Sequence, residues 1–445
     1  MSLNVNGQIV SKWSDLIEDK EHAAIKDSYR KGVVAIMLEN TLNSGKTDPT
    51  VTNVTQVLGS YETLAKLNEA TVAAGTGGFT GAAAAAGPVA GYDPILFSMI
   101  RAATPNLIAY DLVGVQPMTG PTGQVFAMRS TYTSQTGAEA NYAEANTAFS
   151  GTGTHAGALG GATAIQTGTG MLTGAGELLG TGGANPNIAE MGFSIEKVTV
   201  EAKTRALAAS YTVELAQDMK NVHGLDAEVE LVKILSGEII NEINREVIRS
   251  IYTSAVVGSQ KTTTPGTFDL DADANGRWSV EKYKGLMVQI DFESNAIAKA
   301  TRRGRGNVVL CSSDVASALI MAGVLDFAPA IAGNSAMNVD DTGNTFAGVL
   351  NGRYKVYIDP YAEDNYLVVG YKGSSAMDAG IFYCPYIPMQ MARSMGEMSF
   401  IPRLGFRTRY GMAANPFSGG RVKSDGQIRA NANQYYRRSL IQNLL

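Results

Sequence analysis

One stretch of the chain, residues 226–254, has a hydrophobic period that constrains what the rest can fold into. Its sequence reads DAEVELVKILSGEIINEINREVIRSIYTS. Apolar side chains recur at three- and four-residue spacing, which on a 3.6-residue period forms one continuous stripe. A helix of this length would span about 43 Å, so we expect a beam against which the subunit packs. The stripe consists of Val229, Val232, Leu235, Ile239, Ile243, Val247 and Ile251.

The opposite face of the predicted helix is charged. Its acidic members include Glu238, Glu242 and Glu246, and Arg245 and Arg249 lie among them. Such a mixed charged face is typical of a helix side that contacts water. We therefore predict that these carboxylates are solvated rather than catalytic.

The charge and cysteine content exclude several classes of protein. The formal net charge of −5 and the pI near 5.4 argue against a protein whose main task is to bind nucleic acid. Cys311 and Cys384 lie in separate apolar runs, which predicts reduced, buried thiols in a cytosolic setting. The first residues, MSLNVNGQIVSKWSD, lack the apolar core of an export signal, and no uninterrupted apolar run predicts a membrane span.

Two glycine-rich stretches divide the chain. Residues 1–69 are polar and helical in pattern, and residues 70–91, ATVAAGTGGFTGAAAAAGPVAG, carry no charge and mostly small side chains. This change of composition predicts a domain boundary followed by an extended arm. Residues 150–183 contain a single charged side chain, Glu177, among many glycines, which predicts a long loop without a folded insertion domain.

The remaining segments mix strand and helix patterns, which predicts an α+β fold. Residues 105–132 predict strands joined as a local hairpin, and residues 193–215 alternate as strands do. A second long helix is expected from residue 279 to about residue 300, followed by a strand at 307–313 and a helix capped by Asp314. The last segment predicts a strand at 400–412 and a basic tail ending YYRRSL.

No pattern in the sequence predicts a catalytic centre, a metal site or a cofactor site. The three histidines, His22, His155 and His223, lack metal-ligand spacing. The GAGELLG pattern at residues 174–180 does not match a dinucleotide-binding fingerprint. The basic turn RRGRGN at residues 302–307 leaves phosphate binding open, although an exposed or interface turn explains it equally simply.

Several long blocks closely resemble the major capsid proteins of T-even-type contractile-tailed phages. The blocks are PNLIAYDLVGVQPMTGPTGQVFAMR (105–129), NEINREV (241–247), FAGVLNGRYKVYID (346–359), GYKG (370–373), MDAGIFYCPY (377–386) and LGFRTRYGMAANPF (404–417). The resemblance implies the Hong Kong 97-type capsid fold of tailed phages and herpesviruses. It also implies a structural protein and not an enzyme.

That family organises its chain into parts that we map onto this sequence by resemblance. Relatives carry a small folded domain inserted in the extended-loop region, where this chain has only its glycine-rich stretch. The expected parts are a cleavable propeptide (1–69), an N-terminal arm (70–104), an extended-loop region (105–192) with its glycine-rich loop (150–183), a peripheral domain (193–278) with a spine helix (226–254), an axial domain (279–393), and a C-terminal return to the peripheral domain with a tail (394–445).

The resemblance also implies a maturation cleavage. The family's protease cuts after glutamate in a Leu/Ile-x-Glu sequence, and here Leu67-Asn68-Glu69 precedes Ala70 where the polar segment meets the uncharged arm. Exposed chain at such a junction is the kind of site that proteases cut. Three other tripeptides match the same pattern, and we expect the last of them to be protected inside the long helix. They end at Glu18, Glu190 and Glu242.

The predicted function is therefore that of a phage major capsid protein located in the virion. The resemblance implies hexamers that tile an icosahedral or prolate shell around double-stranded DNA without binding it specifically. Implied partners are neighbouring capsomers, a vertex protein, a scaffold, the maturation protease, the portal and decoration proteins. Alternatives are a pentameric vertex paralogue, a nanocompartment shell and, in another class, a nucleotide-binding enzyme.

Overall fold

The structure is a computed structural model of the chain, and it describes most of the chain after residue 106. The N-terminal arm expected at residues 70–104 lies outside the described residues. The described residues are 9–17, 25, 27–47, 107–140, 144–157, 164–180, 188–274, 276, 278–322, 325–327, 345–375, 378–395, 401–419 and 425–444.

Helices and strands are both present in the described ranges, so the predicted α+β class is confirmed. The helices are α1 Ser14–Ile17, α2 Ser28–Thr47, α3 Ala109–Leu112, α4 Thr173–Glu177, α5 Val213–Asp218, α6 Ala227–Ser254, α7 Ser279–Thr301 and α8 Ser313–Met321. The strands are β1 Gly114–Val115, β2 Thr122–Tyr132, β3 Met191–Glu201, β4 Lys203–Ser210, β5 Ala255–Val257, β6 Thr267–Asp269, β7 Val308–Ser312, β8 Leu325–Phe327, β9 Thr345–Leu350, β10 Tyr354–Asp359, β11 Tyr366–Gly370, β12 Ile381–Met395, β13 Pro402–Ala414 and β14 Asn433–Gln442.

The described strands form three sheets. A four-stranded sheet has the order β1-β12-β13-β4. An eight-stranded sheet has the order β5-β14-β11-β7-β10-β9-β8, and β6 pairs with β14 beside it. Strands β2 and β3 form a separate two-stranded antiparallel ribbon that pairs with no other named strand of the described chain.

Helix α6 is the predicted beam. Its N-cap is Asp226, whose side chain accepts a hydrogen bond from the amide of Glu228 at 3.0 Å. The stripe from Leu235 to Ile251 is buried as expected, and it is wider than expected because Ile240 and Ile248 are buried too. Val229 was wrongly placed in the buried stripe, since its side chain is 49% exposed near the start of the helix.

The eight-stranded sheet separates two hydrophobic cores. In β7, Val308 and Leu310 face the core that contains α6, whereas Val309 and Cys311 face the core beneath α7 and α8. This alternation follows from the two-residue period of a strand. A strand buried on both faces reads as a continuous apolar run, which is how VVLCS appears in the sequence.

Four local predictions were wrong, and long-range strand pairing explains two of them. The expected hairpin within residues 105–132 does not form, because β1 pairs with β12 and β2 pairs with β3. Residues 109–112 are helical, and the cap of α8 is Ser312 rather than Asp314. The basic tail is strand β14, which pairs with β11 in the eight-stranded sheet.

Candidate functional site: the assembly surfaces

The β2–β3 ribbon is the most exposed apolar feature among the described strands. At its base, Val125, Val198 and Val200 are buried in a small core with Phe382 and Cys384. Beyond that base the two strands pair with each other and with no other named strand, and the far end of β2 also forms an isolated bridge from Thr131 to Glu139. A two-stranded ribbon is marginal in water unless something covers one of its faces.

One face of the projecting ribbon is apolar and exposed. Met128 lies directly opposite Ile195, and these side chains are 70% and 61% exposed. Cross-strand neighbours share a face, so a continuous patch forms there. We call this patch the ribbon face, and a patch of this kind marks an interaction site. Its members are Phe126, Met128, Met191, Phe193 and Ile195.

The glycine-rich stretch connects the far ends of β2 and β3. In its described part, isolated bridges join Thr152 to Thr169 and Ala156 to Gln166. A side chain at Gly168 would lie 2.5 Å from the backbone of Ala148, so glycine permits this close approach. No apolar side chain in the described part, residues 150–157 and 164–180, is buried. This stretch therefore extends the ribbon without adding a core of its own.

Helix α6 is held to the four-stranded sheet by a charged cluster. Arg205 of β4 forms ion pairs with Glu242 at 2.9 Å and Glu246 at 2.5 Å, and the Tyr410 hydroxyl of β13 also contacts Glu246. These two glutamates were predicted to be solvated, and their side chains are 40% and 36% exposed, but their ion pairs with Arg205 were not predicted. Periodicity locates them on the polar face, but only the sheet shows that Arg205 meets them there.

A second set of charges joins α6 to the eight-stranded sheet. Arg245 pairs at 2.5 Å with Asp359, whose side chain is 2% exposed. The Tyr366 hydroxyl donates to the other carboxylate oxygen of Asp359 at 2.6 Å. Burial, together with the neighbouring Asp359 carboxylate, raises the pKa of Tyr366 well above its usual value. Helix α6 is therefore held by ion pairs to both the four-stranded and the eight-stranded sheet.

Two of the three arginines in the basic turn after α7 pair with carboxylates of the same chain. Arg303 pairs with Asp378 at 3.2 Å, and Arg305 pairs with Asp291 at 3.4 Å. A side chain at Gly304 would contact the ring of Tyr371, so the turn is packed against the body. This arrangement favours a structural turn over the phosphate site that the sequence left open.

Cys311 and Cys384 are buried, free thiols, as predicted. Burial raises the pKa of each thiol to about 12. Within the described ranges, no three Asp, Glu, His or Cys side chains are grouped so that they could hold a metal ion. In the same ranges, no helix combines the length and apolar character needed to cross a membrane.

Lys372 is a partly buried amine whose surroundings disfavour its charged form. Burial lowers its pKa from 10.5 to about 8, and Asp111 only partly opposes this effect. Its ammonium donates to the carbonyl of Tyr110. The unfolded chain therefore binds more protons than the folded chain between pH 8 and pH 10.5.

We expect the stability of the unassembled subunit to rise relative to a Lys372→Met variant as pH increases through this window. The gain should reach about 2 kcal/mol near the upper end, since each pKa unit corresponds to about 1.4 kcal/mol. Urea unfolding of both chains at several pH values measures the difference. If the unfolding free energies of the two chains changed in parallel with pH, the lowered pKa of Lys372 would be contradicted. The comparison uses the difference between the two chains because tyrosines that titrate in both chains then cancel.

The residues predicted for the cleavage, Leu67, Asn68, Glu69 and Ala70, lie outside the described residues. The structure does describe parts of the three competing tripeptides. Ile240-Asn241-Glu242 lies within α6, as expected, and Ile17 is buried in the main core. Glu190 is exposed just before β3, and its carbonyl accepts a hydrogen bond from the amide of Thr133.

Comparison with known proteins gives a consistent result. The family described as "Major capsid protein Gp23" matches residues 89–441. The major capsid protein of Serratia phage KSP90 is 42% identical over 79% of this chain and 85% of its own length. That of Vibrio phage KVP40 is 37% identical over 98% of this chain and 100% of its own length.

Weaker similarities involve other capsid components. The capsid vertex protein of Enterobacteria phage T4 is 26% identical over 55% of this chain and 58% of its own length. A solved structure, the capsid of Myoviridae phage XM1, aligns over 74% of this chain and 89% of its own with a TM-score of 0.39 and 8% identity. The major capsid proteins are thus more similar to this chain, and over more of its length, than the vertex protein is.

Proposed function

The chain belongs to the Gp23 major capsid protein family and is a tailed-phage major capsid protein of the virion shell, and from this premise we propose how it assembles and matures. It forms hexamers whose subunits embrace their neighbours through the ribbon face. The observation that carries this proposal is the exposed apolar strip on a ribbon that has no covering element in the described chain. Burial of such strips across subunit boundaries supplies the hydrophobic contribution to shell closure.

The proposed domain organisation assigns each segment of the chain to one part of the shell subunit. Residues 70–104 form the arm, and residues 105–192 form the extended-loop region. Residues 193–278, with α6, form a peripheral domain together with β13, and residues 279–393 form most of an axial domain. Two elements modify this division, since β12 pairs with β13 and β14 pairs with β11.

The proposed role is structural rather than catalytic. Ion pairing in the basic turn, described above, supports this because Arg303 and Arg305 contact carboxylates of their own chain. The proposed partners are copies of this chain, a vertex protein, a scaffold, the protease that cuts the precursor, the portal and decoration proteins. The shell encloses double-stranded DNA without a sequence-specific contact, which agrees with the net charge of −5.

We further propose that maturation removes residues 1–69 by cleavage between Glu69 and Ala70. Three features support this position. It lies where the charged N-terminal segment meets an uncharged stretch, Ile240-Asn241-Glu242 lies within a helix, and Ile17 is buried. Cleavage at Glu190 is disfavoured because it would cut the chain immediately before β3 of the ribbon.

Intact mass and N-terminal sequencing of this protein from purified mature particles test the cleavage directly. We expect a chain that begins at Ala70. In particles made from the Glu69→Gln variant, we expect the chain to keep residues 1–69. Glu190→Gln is the matched control, because it changes the exposed competing glutamate and should leave the mature N-terminus unchanged. A mature chain that retains residues 1–69 would exclude the proposal.

A further inference from the structure

The N-terminal segment that we propose to be removed is an integral part of the main hydrophobic core. Residues 9–17 and 27–47 contain α1 and α2, which we call the N-terminal helices. Their apolar residues pack into the same cluster as Tyr110, Val113 and Tyr383 of the body. The buried members of the N-terminal helices and of the turn before α1 are Trp13, Ile17, Val33, Val34, Ala35, Met37 and Leu38.

Polar contacts reinforce this packing near the start of α2 and farther along it. Near its start, Arg30 pairs with Asp111 at 2.7 Å, and the Tyr29 hydroxyl donates to the carbonyl of Val115. Further along, Asn40 is 7% exposed, and its amide group donates to two carbonyls of the body. The acceptors are Met118 at 2.7 Å and Tyr386 at 2.9 Å.

These contacts join parts of the chain that lie on opposite sides of the proposed cleavage. Each body partner named above has a residue number above 106, and each helix residue has a number below 48. A cut after Glu69 therefore breaks no contact between the N-terminal helices and the body. It changes only the connection, so that an intramolecular contact becomes an association between two molecules.

We propose that residues 107–118 together with β12 form a binding surface for a helical segment, which the chain's own N-terminal helices occupy both before and after cleavage. Cutting and release are then two separate events, and release requires dilution or a rearrangement of β12. The proposal rests on the proposed function, since it concerns the fate of the segment that maturation removes. Release would expose the apolar side chains that the helices cover, and their exposure would favour a rearranged shell.

The test uses the full chain with one added recognition sequence for a site-specific laboratory protease. This sequence is inserted at a single position within residues 48–66. After complete cutting of the purified subunit, size-exclusion chromatography over a dilution series measures how much of the N-terminal fragment stays with the body. We expect co-elution at high concentration and concentration-dependent separation on dilution. Complete separation immediately after cutting, at every concentration, would overturn the proposal.

Variants of the N-terminal helices locate the binding determinants. Asn40→Ala and Arg30→Met should each raise the dissociation constant of the fragment about tenfold, because each removes polar contacts from a buried site. Gly32→Ala is the matched control in the same helix, since a side chain there meets nothing within 4 Å and it should leave binding equal or slightly tighter. If the N-terminal fragment dissociated equally in Asn40→Ala, Arg30→Met and Gly32→Ala, the contacts assigned to Asn40 and Arg30 would not determine binding.

This experiment separates the two proposals. The inserted site is cut whether or not the phage protease recognises Glu69, so retention of the fragment depends only on the binding surface. Mature particles whose chain still carries residues 1–69 in one covalent piece would exclude the cleavage proposal and leave the binding surface standing. If Leu38→Asp, which places a charge in the buried interface, left retention unchanged in the cut chain, the binding surface would be excluded even with cleavage at Glu69 established.

Discussion

A Met128→Glu substitution is expected to leave the subunit folded and to abolish closed shells. Met128 is 70% exposed on the projecting ribbon, so a carboxylate there remains in water in the isolated subunit. In the shell the same position is proposed to be buried against a neighbour. Burial of an unpaired charge costs several kcal/mol, and the cost recurs at each copy of the interface.

The measurement is electron microscopy and sedimentation of assembly products, alongside circular dichroism of the unassembled subunit. Met321→Glu is the matched control, because Met321 is 73% exposed and lies at the end of α8, away from the ribbon. We expect Met321→Glu to assemble and Met128→Glu to remain as free subunits or capsomers. If Met128→Glu gave normal shells, the ribbon face would not be the assembly contact.

Loss of the buried carboxylate in α7 should have the largest effect on stability. The side chain of Glu293 is 6% exposed and accepts hydrogen bonds from Arg437 at 2.6 Å, the Ser259 amide at 2.6 Å and Gln289 at 2.7 Å. Glu293→Ala would leave the Arg437 guanidinium buried without its partner. Removing one member of a buried pair costs about 3–5 kcal/mol, so we expect a loss of stability in that range.

Urea unfolding of the unassembled subunit measures this loss. Glu230→Ala is the control, because Glu230 forms an exposed pair with Lys233 along α6 and should cost less than about 1 kcal/mol. A double variant, Glu293→Met with Arg437→Leu, should be less destabilised than Glu293→Ala, since no buried charge remains unpaired. If Glu293→Ala and Glu230→Ala lowered the free energy of unfolding by similar amounts, the proposed contribution of the buried Glu293 cluster to stability would be contradicted.

The cluster around Glu293 was not visible in the sequence. Helical period placed Glu293 in the second long helix, but its partners come from the turn at Ser259 and from Arg437 in the segment that was predicted to be a tail. A basic stretch near the C-terminus resembles an exposed tail when it is considered alone. Its strand character comes from hydrogen bonding to β11, which local composition does not encode.

Local periodicity by itself determined much of this protein. It determined the beam helix, the second long helix, the buried strand at Val308–Ser312 and the coreless glycine-rich stretch, because each depends on residues close together in sequence. The six sequence blocks that resemble T-even-type capsid proteins were sufficient to identify the family. The cysteines were also predicted correctly, since isolated thiols in apolar runs are buried ones.

Only the tertiary structure decided which distant segments meet. It showed that β2 pairs with β3 rather than locally, that Arg205 meets the glutamates of α6, and that the N-terminal helices complete the main core. The polar sequence of the N-terminal segment predicted a separate head, because its few apolar residues cannot form a core alone. They are buried against residues more than 60 positions away, and such non-local contacts leave no periodic signal in a single sequence.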